Sequence, residues 1–193
     1  MEQLLYHESG LRFVVSDHFE GRMLTPILEN LLDKAQSAWD DYDEASRCCR
    51  LVEEVRRTPG LHMEFHTARR GEAVAGLALV TSGPVLRPPF FSEGLLPGEP
   101  EDGALAFNYF HISPAARGFG EHWLRDIILP RCRAQGFRAV YVKSSHPRAF
   151  SLYRRLGTEL GSYRSPSDNG LYLRRGLLFR IPLSGPESRI PSP

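Results

Sequence analysis

The amino-acid sequence predicts an α/β (α+β) fold in which a mixed central sheet carries helices on both faces. Segments of strand and helix periodicity follow one another in the order β-α-α-β-β-β-α-β-α-β-β. The chain has 193 residues, which suits one domain with a sizeable core and is short for two. We therefore expect a single domain over residues 1–183. Residues 184–193, rich in Pro, Ser and Gly, are expected to form a disordered tail.

The amino-terminal half is predicted to hold three strands and two helices. A strand at Leu11–Val15 precedes a helix at Leu24–Ala35, in which apolar residues recur at helical spacing. A second helix is expected at Ser37–Arg57. Leu61–Thr67 and Ala73–Thr81 read as the two strands of a hairpin.

The carboxy-terminal half is predicted to alternate strands and helices after a long loop. Residues 84–103 are rich in Pro and Gly, and a loop of this length within a domain is often functional. Pro130 is expected to kink or interrupt the helix in which it lies. The predicted strands are Ala104–Ile112, Phe137–Ser144, Glu159–Arg164 and Leu171–Leu183, and the predicted helices are Arg117–Gln135 and Pro147–Leu156.

Composition argues against several classes of function. The formal net charge is +1, so no strong overall field favours nucleic acid or a membrane surface as a partner. No run approaches the roughly 20 apolar residues of a membrane span. Cys48, Cys49 and Cys132 lack the spacing of a disulfide framework or a metal site, which favours reduced thiols in a cytoplasmic protein without a metal.

The stretch HISPAARGFGEHWL, from His111 to Leu124, predicts an anion site. A strand ends at a proline, and Arg117, Gly118 and Gly120 follow directly before a helix. The first amides of a helix have no partner within it and carry part of its positive dipole. Glycines allow a phosphate or pyrophosphate to approach this backbone, and Arg117 can donate to it in a bidentate manner. The same two glycines are also compatible with a tight turn alone.

A second motif, His146–Gly157, makes the prediction more specific. Together the two motifs resemble the GNAT superfamily of acyl-CoA-dependent N-acetyltransferases. This resemblance implies a mostly antiparallel sheet of six to seven strands and acetyl-CoA as cosubstrate. The matching positions are Ile112, Pro114, Arg117, Gly118 and Gly120 in the first motif, and Ala149, Tyr153 and Gly157 in the second.

Three residues depart from the pattern of the superfamily. His122 stands where Gly or Ala is preferred, next to the predicted pyrophosphate site. His146 stands where Asn is usual, and Thr158 where Phe is common.

The resemblance also implies roles for individual residues. The backbone at Phe110 and Ile112 is expected to pair with the pantetheine arm, and the amides from Gly118 to His122 to hold the pyrophosphate. Tyr153 is expected to protonate the leaving thiolate, although its position also suits a buried core aromatic. The predicted coenzyme-binding residues are Phe110, Ile112, Arg117, Gly118, Phe119, Gly120, His122, His146 and Ala149.

The general base is not evident from the sequence. Regular alternation places Asn108, Phe110 and Ile112 on one face of their strand, together with Ala106. Asn108 can orient a water or the substrate but cannot accept a proton. Alternation places His111 on the other face as a packing residue, an assignment that a β-bulge would reverse. The remaining candidates for the base are Glu64, Glu101 and Asp102.

The acceptor is expected to be a primary amine, either a small molecule or a peptide. The acidic run from Trp39 to Glu44 is compatible with a cationic acceptor, but acids at the start of a helix also complement its dipole and face water. Arg174 and Arg175 favour an anionic acceptor instead. A CoA-binding sensor or inactive relative is an alternative function, and a transferase of longer acyl groups under a Phe90-Phe91 loop is another. A homodimer is among the assemblies considered.

Overall fold

A mixed sheet of eight strands organises the chain. The computed structural model describes residues 2–35, 42–86, 90–91 and 103–183, so the predicted tail at 184–193 lies outside the described residues. The strand order is β1-β2-β3-β4-β5-β6-β8-β7, in which β5 and β6 pair in parallel and the other neighbours are antiparallel. The strands are β1 Glu2–Glu8, β2 Leu11–Ser16, β3 His62–Arg70, β4 Ala73–Ser82, β5 Ala104–Ile112, β6 Ala139–Ser144, β7 Thr158–Pro166 and β8 Leu173–Pro182.

Helices cover both faces of this sheet, which confirms the predicted fold class. Strand Ala104–Ile112 and helix Pro147–Leu156 have the predicted bounds. Short 3₁₀ turns lie at Gly21–Leu24 and Pro114–Ala116. The helices are α1 Thr25–Ala35, α2 Glu44–Arg57, α3 Gly120–His122, a π-helical segment Trp123–Ile128, α4 Leu129–Ala134 and α5 Pro147–Leu156.

Strand β1 is not predicted from the sequence. This strand lies at an edge of the sheet, and within it only Leu5 is partly buried while the other residues are exposed. An edge strand with so little buried surface shows no clear alternation of apolar and polar residues. The sheet therefore has one strand more than the six to seven expected.

Two helices differ by more than one residue from their predicted bounds, for identifiable reasons. Within the described residues α2 begins at Glu44 rather than Ser37, after a turn at Tyr42 and Asp43. The helix predicted from Arg117 begins at Gly120 and runs without a break to Ala134. Pro130 has no N–H to donate to the preceding turn, and the residues just before it adopt a π-helical turn, so the helix continues through the proline.

The core consists of two layers, one on each face of the sheet. The face that carries α3, the π-helical segment, α4 and α5 is called the α5 face, and its core is built around the fully buried Trp123. The face that carries α1 and α2 is called the α2 face, and it buries Ile27 of α1 and Val52 of α2. Consecutive residues of a strand point alternately into these two layers.

The cysteines and helices of the described residues show three further properties. Cys48 and Cys132 are buried, and burial raises the pKa of each thiol to about 12, while Cys49 is exposed. Among the described residues no group of His, Cys, Asp and Glu is arranged to hold a metal ion. No helix in the described ranges combines the length and apolar character needed to cross a membrane.

Candidate functional site

A cleft of about 1000 Å³ opens where β5 and β6 separate. The two strands pair only as far as Phe107 and Val142. Beyond these residues β5 remains paired with β4 and β6 with β8, so the parallel strands diverge. The cleft is lined from both faces of the sheet and is large enough to hold an extended cofactor together with a second small molecule.

A β-bulge at Asn108 sets the orientation of the cleft residues on β5. Tyr109 lies opposite Leu79 and Phe107 opposite Val80, which leaves Asn108 as an additional residue. The Asn108 Oδ1 accepts a hydrogen bond from the hydroxyl of buried Thr81 at 2.7 Å. The bulge places Asn108 at the point where the strands begin to diverge.

The predicted alternation along β5 is therefore wrong beyond Phe107. Ala106 belongs to the core of the α2 face, whereas Phe110 and Ile112 pack with Phe107 in the core of the α5 face. A regular strand would place Phe110 with Ala106. The extra residue reverses the alternation, so His111 shares the α2 face with Ala106 instead of the face expected for a regular strand.

The predicted anion site is a turn of exposed backbone before α3. Gly118 has φ of +122°, which residues with a side chain rarely adopt. A Cβ at Gly120 would lie 2.6 Å from the Cδ1 of Ile112, so this position is also closely approached. Both glycines line the cleft. The amides at the start of α3 therefore face a space in which a phosphate group can bind.

The side chain of Arg117 is engaged by α1. Its Nη2 donates to Asp33 Oδ2 at 2.7 Å and to Asn30 Oδ1 at 3.3 Å. Asn30 also donates through Nδ2 to the carbonyl of Ile112 at 2.8 Å. Residues 117–120 are called the glycine turn, and helix α1 thus holds both the end of β5 and the first residue of this turn. The contact of Arg117 with a phosphate remains a prediction.

The ring of His122 does not fill the predicted anion site. Its Nδ1 lies 2.9 Å from Asp126 Oδ2 and its Nε2 lies 3.2 Å from Glu8 Oε2 of β1. The ring faces Tyr6 and Phe13 of the first hairpin. His122 and Phe119 are absent from the lining of the cleft, so only their backbone amides are available for the predicted role.

The carboxylate of Glu121, next to the anion site, is neutralised by a neighbouring helix. Arg155 of α5 donates to Glu121 Oε2 at 2.5 Å. This contact holds the pKa of Glu121 below its ordinary value. The pair links the start of α3 to α5, and it reduces the repulsion that Glu121 would exert on an anion.

The second motif places three residues along the cleft. Tyr153 is buried and packs against Phe179, and burial raises the pKa of its phenol well above the ordinary value. Burial lowers the pKa of His146 to about 4, with smaller contributions from nearby charges that include Lys34. Ala149, in the first turns of α5, also lines the cleft. Near neutral pH Tyr153 is therefore a protonated donor and His146 an uncharged ring.

On the α2 face, the cleft contains a histidine paired with a carboxylate. His111 Nε2 lies 3.0 Å from Glu44 Oε1, and Lys34 Nζ lies 3.2 Å from the other oxygen of Glu44. The side chain of His111 is 11% exposed and that of Glu44 21% exposed, so both are screened from bulk water yet reach the cleft. A neutral His111 that donates from Nε2 to Glu44 has Nδ1 as a proton acceptor.

Three arginines extend this wall towards the last hairpin. Arg47 and Arg174 both pair with the buried carboxylate of Asp168, and Arg174 does so at 3.1 Å. Asp168 also accepts the backbone N–H of Asp43 at 2.8 Å, and the Asp43 carboxylate pairs with Arg50. The turn between β7 and β8 is thereby attached to the start of α2.

Several residues proposed from sequence lie elsewhere. Glu64 is held on the α5 face by Arg131 and Gln135, away from the cleft. Arg175 is exposed and does not line the cleft, unlike its neighbour Arg174. Of the other sequence candidates, Glu101, Asp102 and the segment Trp39 to Asp41 lie outside the described residues.

Phe90 and Phe91 form part of the cleft wall on the α2 face. Both are buried, and Phe91 packs against Tyr141 of β6. Their rings belong to the core of that face and also line the cleft. This end of the cleft is therefore apolar.

Comparison with solved structures identifies the architecture. A GNAT-family protein from Desulfovibrio desulfuricans superposes with a TM-score of 0.57 at 14% identity, covering 90% of this chain and 99% of the other. A phosphinothricin acetyltransferase from Sinorhizobium meliloti, solved with AcCoA, gives 0.55 at 18% identity over 88% of each chain. The ribosomal-protein-S18-alanine N-acetyltransferase from Escherichia coli gives 0.53 at 12% identity, covering 92% and 98%. The chain has the fold of the GNAT acetyltransferases. No family model and no curated protein matches it in sequence.

Within this fold, the glycine turn and the motif His146–Gly157 are evident from the sequence, whereas the pairing of His111 with Glu44 is not. Alternation alone made His111 a packing residue, and no local pattern connects it to Glu44, which is 67 residues away in the chain. No pattern in the sequence marks the β-bulge at Asn108, which changes the face of every later residue of β5.

Proposed function

We propose that the protein is an acetyl-CoA-dependent N-acetyltransferase that moves an acetyl group to a primary amine by direct attack of the amine on the thioester. The observation that carries this proposal is the opposition of two walls across one cleft. The glycine turn and α5 form the wall for the acyl donor, and His111 with Glu44 faces them from the α2 face. Acetyl-CoA would supply the activated acetyl thioester.

The residues of this chain fit such a donor. Gly118 and Gly120 keep the backbone before α3 open where a Cβ would be strained or crowded. The amides there are suited to a pyrophosphate. Beyond Phe107 the free side of β5 can pair with an extended amide-containing arm, because β6 no longer pairs with it.

His111 is the proposed general base. An amine that arrives protonated must lose a proton before it can attack, and the Nδ1 of a neutral imidazole accepts one near neutral pH. Glu44 holds the ring from the other side and stabilises the positive charge that His111 gains. Asn108, fixed by Thr81, is proposed to orient the amine or a water at the bulge.

Tyr153 is the proposed general acid. Burial keeps its phenol protonated, and its side chain lines the cleft from the α5 face. It can therefore donate a proton to a thiolate leaving group. Replacement of Tyr153 by Phe preserves the packing against Phe179 and removes only the hydroxyl.

Two observations favour turnover over the alternative of a sensor or inactive relative. The ring of His122 points to β1 and leaves the anion site open. His111 and Glu44 provide a base that the strand alternation did not predict. A donor with a longer acyl group remains an alternative, because Phe90 and Phe91 present an apolar wall to the cleft.

The test is an acetyl-CoA titration followed by measurement of thiol release over a panel of primary amines. We expect binding of acetyl-CoA and release of one thiol per amine acetylated. The Tyr153→Phe variant is expected to lose about 10²-fold or more in kcat while it binds acetyl-CoA normally. Binding without thiol release for every amine would support the sensor, and absence of acetyl-CoA binding would reject the donor assignment.

A further inference from the structure

Lys143 occupies a distinctive position in the cleft. It is the first residue of β6 after the last pair with β5, so it stands where the strands diverge. Val142 before it points into the core of the α5 face, and Tyr141 into that of the α2 face. Lys143 therefore projects on the α2 face, the side of His111 and Glu44.

The ammonium group of Lys143 is held by an aromatic ring. Its Nζ lies 5.0 Å from the centroid of the Tyr163 ring. The Tyr163 ring in turn lies against Gly176 of β8, where a Cβ would come within 2.1 Å of the ring. This cation–π contact positions the charge but does not neutralise it.

Most of the other cations that line the cleft are paired. Lys34 pairs with Glu44, Arg47 and Arg174 with Asp168, Arg50 with Asp43, and Arg117 with Asp33. Within the described part of the chain, Lys143 and Arg148 form no ion pair. Arg148 lies in the first turn of α5, on the side of the acyl donor, whereas Lys143 lies on the acceptor side.

The balance of charges on the α2 face of the cleft also indicates an anionic ligand. The cations that line the cleft on this side are Lys34, Arg47, Arg50, Arg117, Lys143 and Arg174, against the carboxylates Asp33, Glu44 and Glu54. Asp43 and Asp168 support the arginines from behind, which still leaves one positive charge in excess among the described residues. Desolvation lowers the pKa of Lys143, so an anionic partner would stabilise its charged form.

We propose that the amine acceptor also carries a carboxylate, and that Lys143 binds this carboxylate while His111 receives the proton of the amine. The inference rests on the proposed function, since it assigns the acceptor class for the same cleft. One unpaired ammonium matches one carboxylate, and a charged hydrogen bond between them would fix the amine relative to the acyl donor. Lys143 is then a specificity-determining residue.

The experiment compares each amino acid with its own carboxamide, which keeps the amine and the side chain but removes the negative charge. Both series are measured by thiol release with the wild-type protein, Lys143→Met and Lys143→Arg. Met preserves the length of the aliphatic stem without the charge, and Arg restores the charge. Arg175→Met is the matched control, because Arg175 is an exposed cation outside the cleft. Calorimetric titration of the same amino acids into the protein without acetyl-CoA provides a readout that is independent of turnover.

For the best amino acid, we expect kcat/KM at least about tenfold above that of its carboxamide, the effect of one hydrogen bond to a charged group. In Lys143→Met this preference should disappear through a higher KM for the acid, with the carboxamide changed less than about twofold. Lys143→Arg should recover part of the preference, and Arg175→Met should retain all of it.

Equal use of acids and carboxamides by the wild-type protein would overturn the inference. A loss in Lys143→Met that is the same for both series would also overturn it, as would an acetyl group found on Lys143 itself by mass spectrometry. These results differ from failure of the proposed function, in which no amine of either series releases thiol. In that case calorimetry still decides the inference, because carboxylate binding that depends on Lys143 supports it and the absence of such binding rejects it.

Discussion

The two walls of the cleft are built from different parts of the polypeptide. The wall on the α5 face presents the backbone before α3, which Gly118 and Gly120 leave open, together with polar side chains such as Arg148 and Tyr153. The wall on the α2 face presents charged side chains from distant parts of the chain, such as Glu44, His111 and Arg174, beside the apolar rings of Phe90 and Phe91. A backbone site suits a ligand that is always the same, whereas a side-chain site can be altered by single substitutions. The comparison implies that variants of the two walls should affect different steps.

The largest effect is expected for His111→Asn on the acceptor wall. Loss of the base should lower kcat/KM by about 10²–10³-fold at neutral pH, within the range of general-base catalysis. The measurement is steady-state thiol release, together with the dissociation constant of acetyl-CoA, which should change less than about twofold. His62→Asn is the control, because His62 is an exposed histidine at the start of β3. An equal loss in the control, or full activity in His111→Asn, would refute the assignment of the base.

The next effect concerns the scaffold of the same wall. Asp168→Asn removes the buried negative charge that pairs with Arg47 and Arg174. Stranding Arg174 in a buried position should lower the free energy of unfolding by about 3 kcal/mol. Chemical denaturation measures this loss, and the KM for the acceptor should rise while acetyl-CoA binding persists. Glu53→Gln, which breaks an exposed pair with Arg57, should cost less than about 1 kcal/mol, and a similar cost in both variants would contradict the buried role of Asp168.

On the α5 face of the cleft, we expect a substitution that restricts the backbone to weaken the binding of acetyl-CoA. Gly118→Ala strains a residue at φ of +122° in the anion site and is expected to weaken acetyl-CoA binding about tenfold, the equivalent of 1–2 kcal/mol of strain. Calorimetry measures the dissociation constant. Gly136→Ala introduces comparable strain at φ of +89° after α4, outside the cleft. The control should lose stability but bind acetyl-CoA as the wild type does, so weaker binding in both variants would indicate a general effect on folding.

The smallest effect is expected for His146, which lies between the two walls of the cleft, and it concerns the dependence of stability on pH. Its pKa is lowered from 6.5 to about 4, so the unfolded chain binds a proton at that site between these pH values and the folded chain does not. The contribution of His146 to the free energy of unfolding is therefore fully present above about pH 6.5, and it is lost as the pH decreases towards 4. Denaturation at several pH values should show that His146→Asn loses less stability over this range, by on the order of 1 kcal/mol.

Buried His66, whose pKa is also lowered, remains in both proteins and contributes equally to their profiles. The difference between the profiles therefore isolates His146. Parallel pH profiles for the two proteins would show that His146 titrates in the folded chain as it does in the unfolded one.

The sequence by itself determined the fold class, most of the element order and the glycine turn before α3. Gly118, Gly120 and the α5 motif are local patterns, because a backbone site requires particular residues at consecutive positions. Strand Ala104–Ile112 was predicted for a similar reason, since its apolar and β-branched or aromatic residues form one continuous run. The wall on the α2 face of the cleft was decided by the tertiary structure. One extra residue at Asn108 turns His111 to the α2 face, and only packing brings Glu44, Lys143 and Arg174 to the same cleft from distant parts of the chain. Side chains that meet through long-range packing leave no spacing in the sequence, which is why the fold and the glycine turn could be predicted and the pairing of His111 with Glu44 could not.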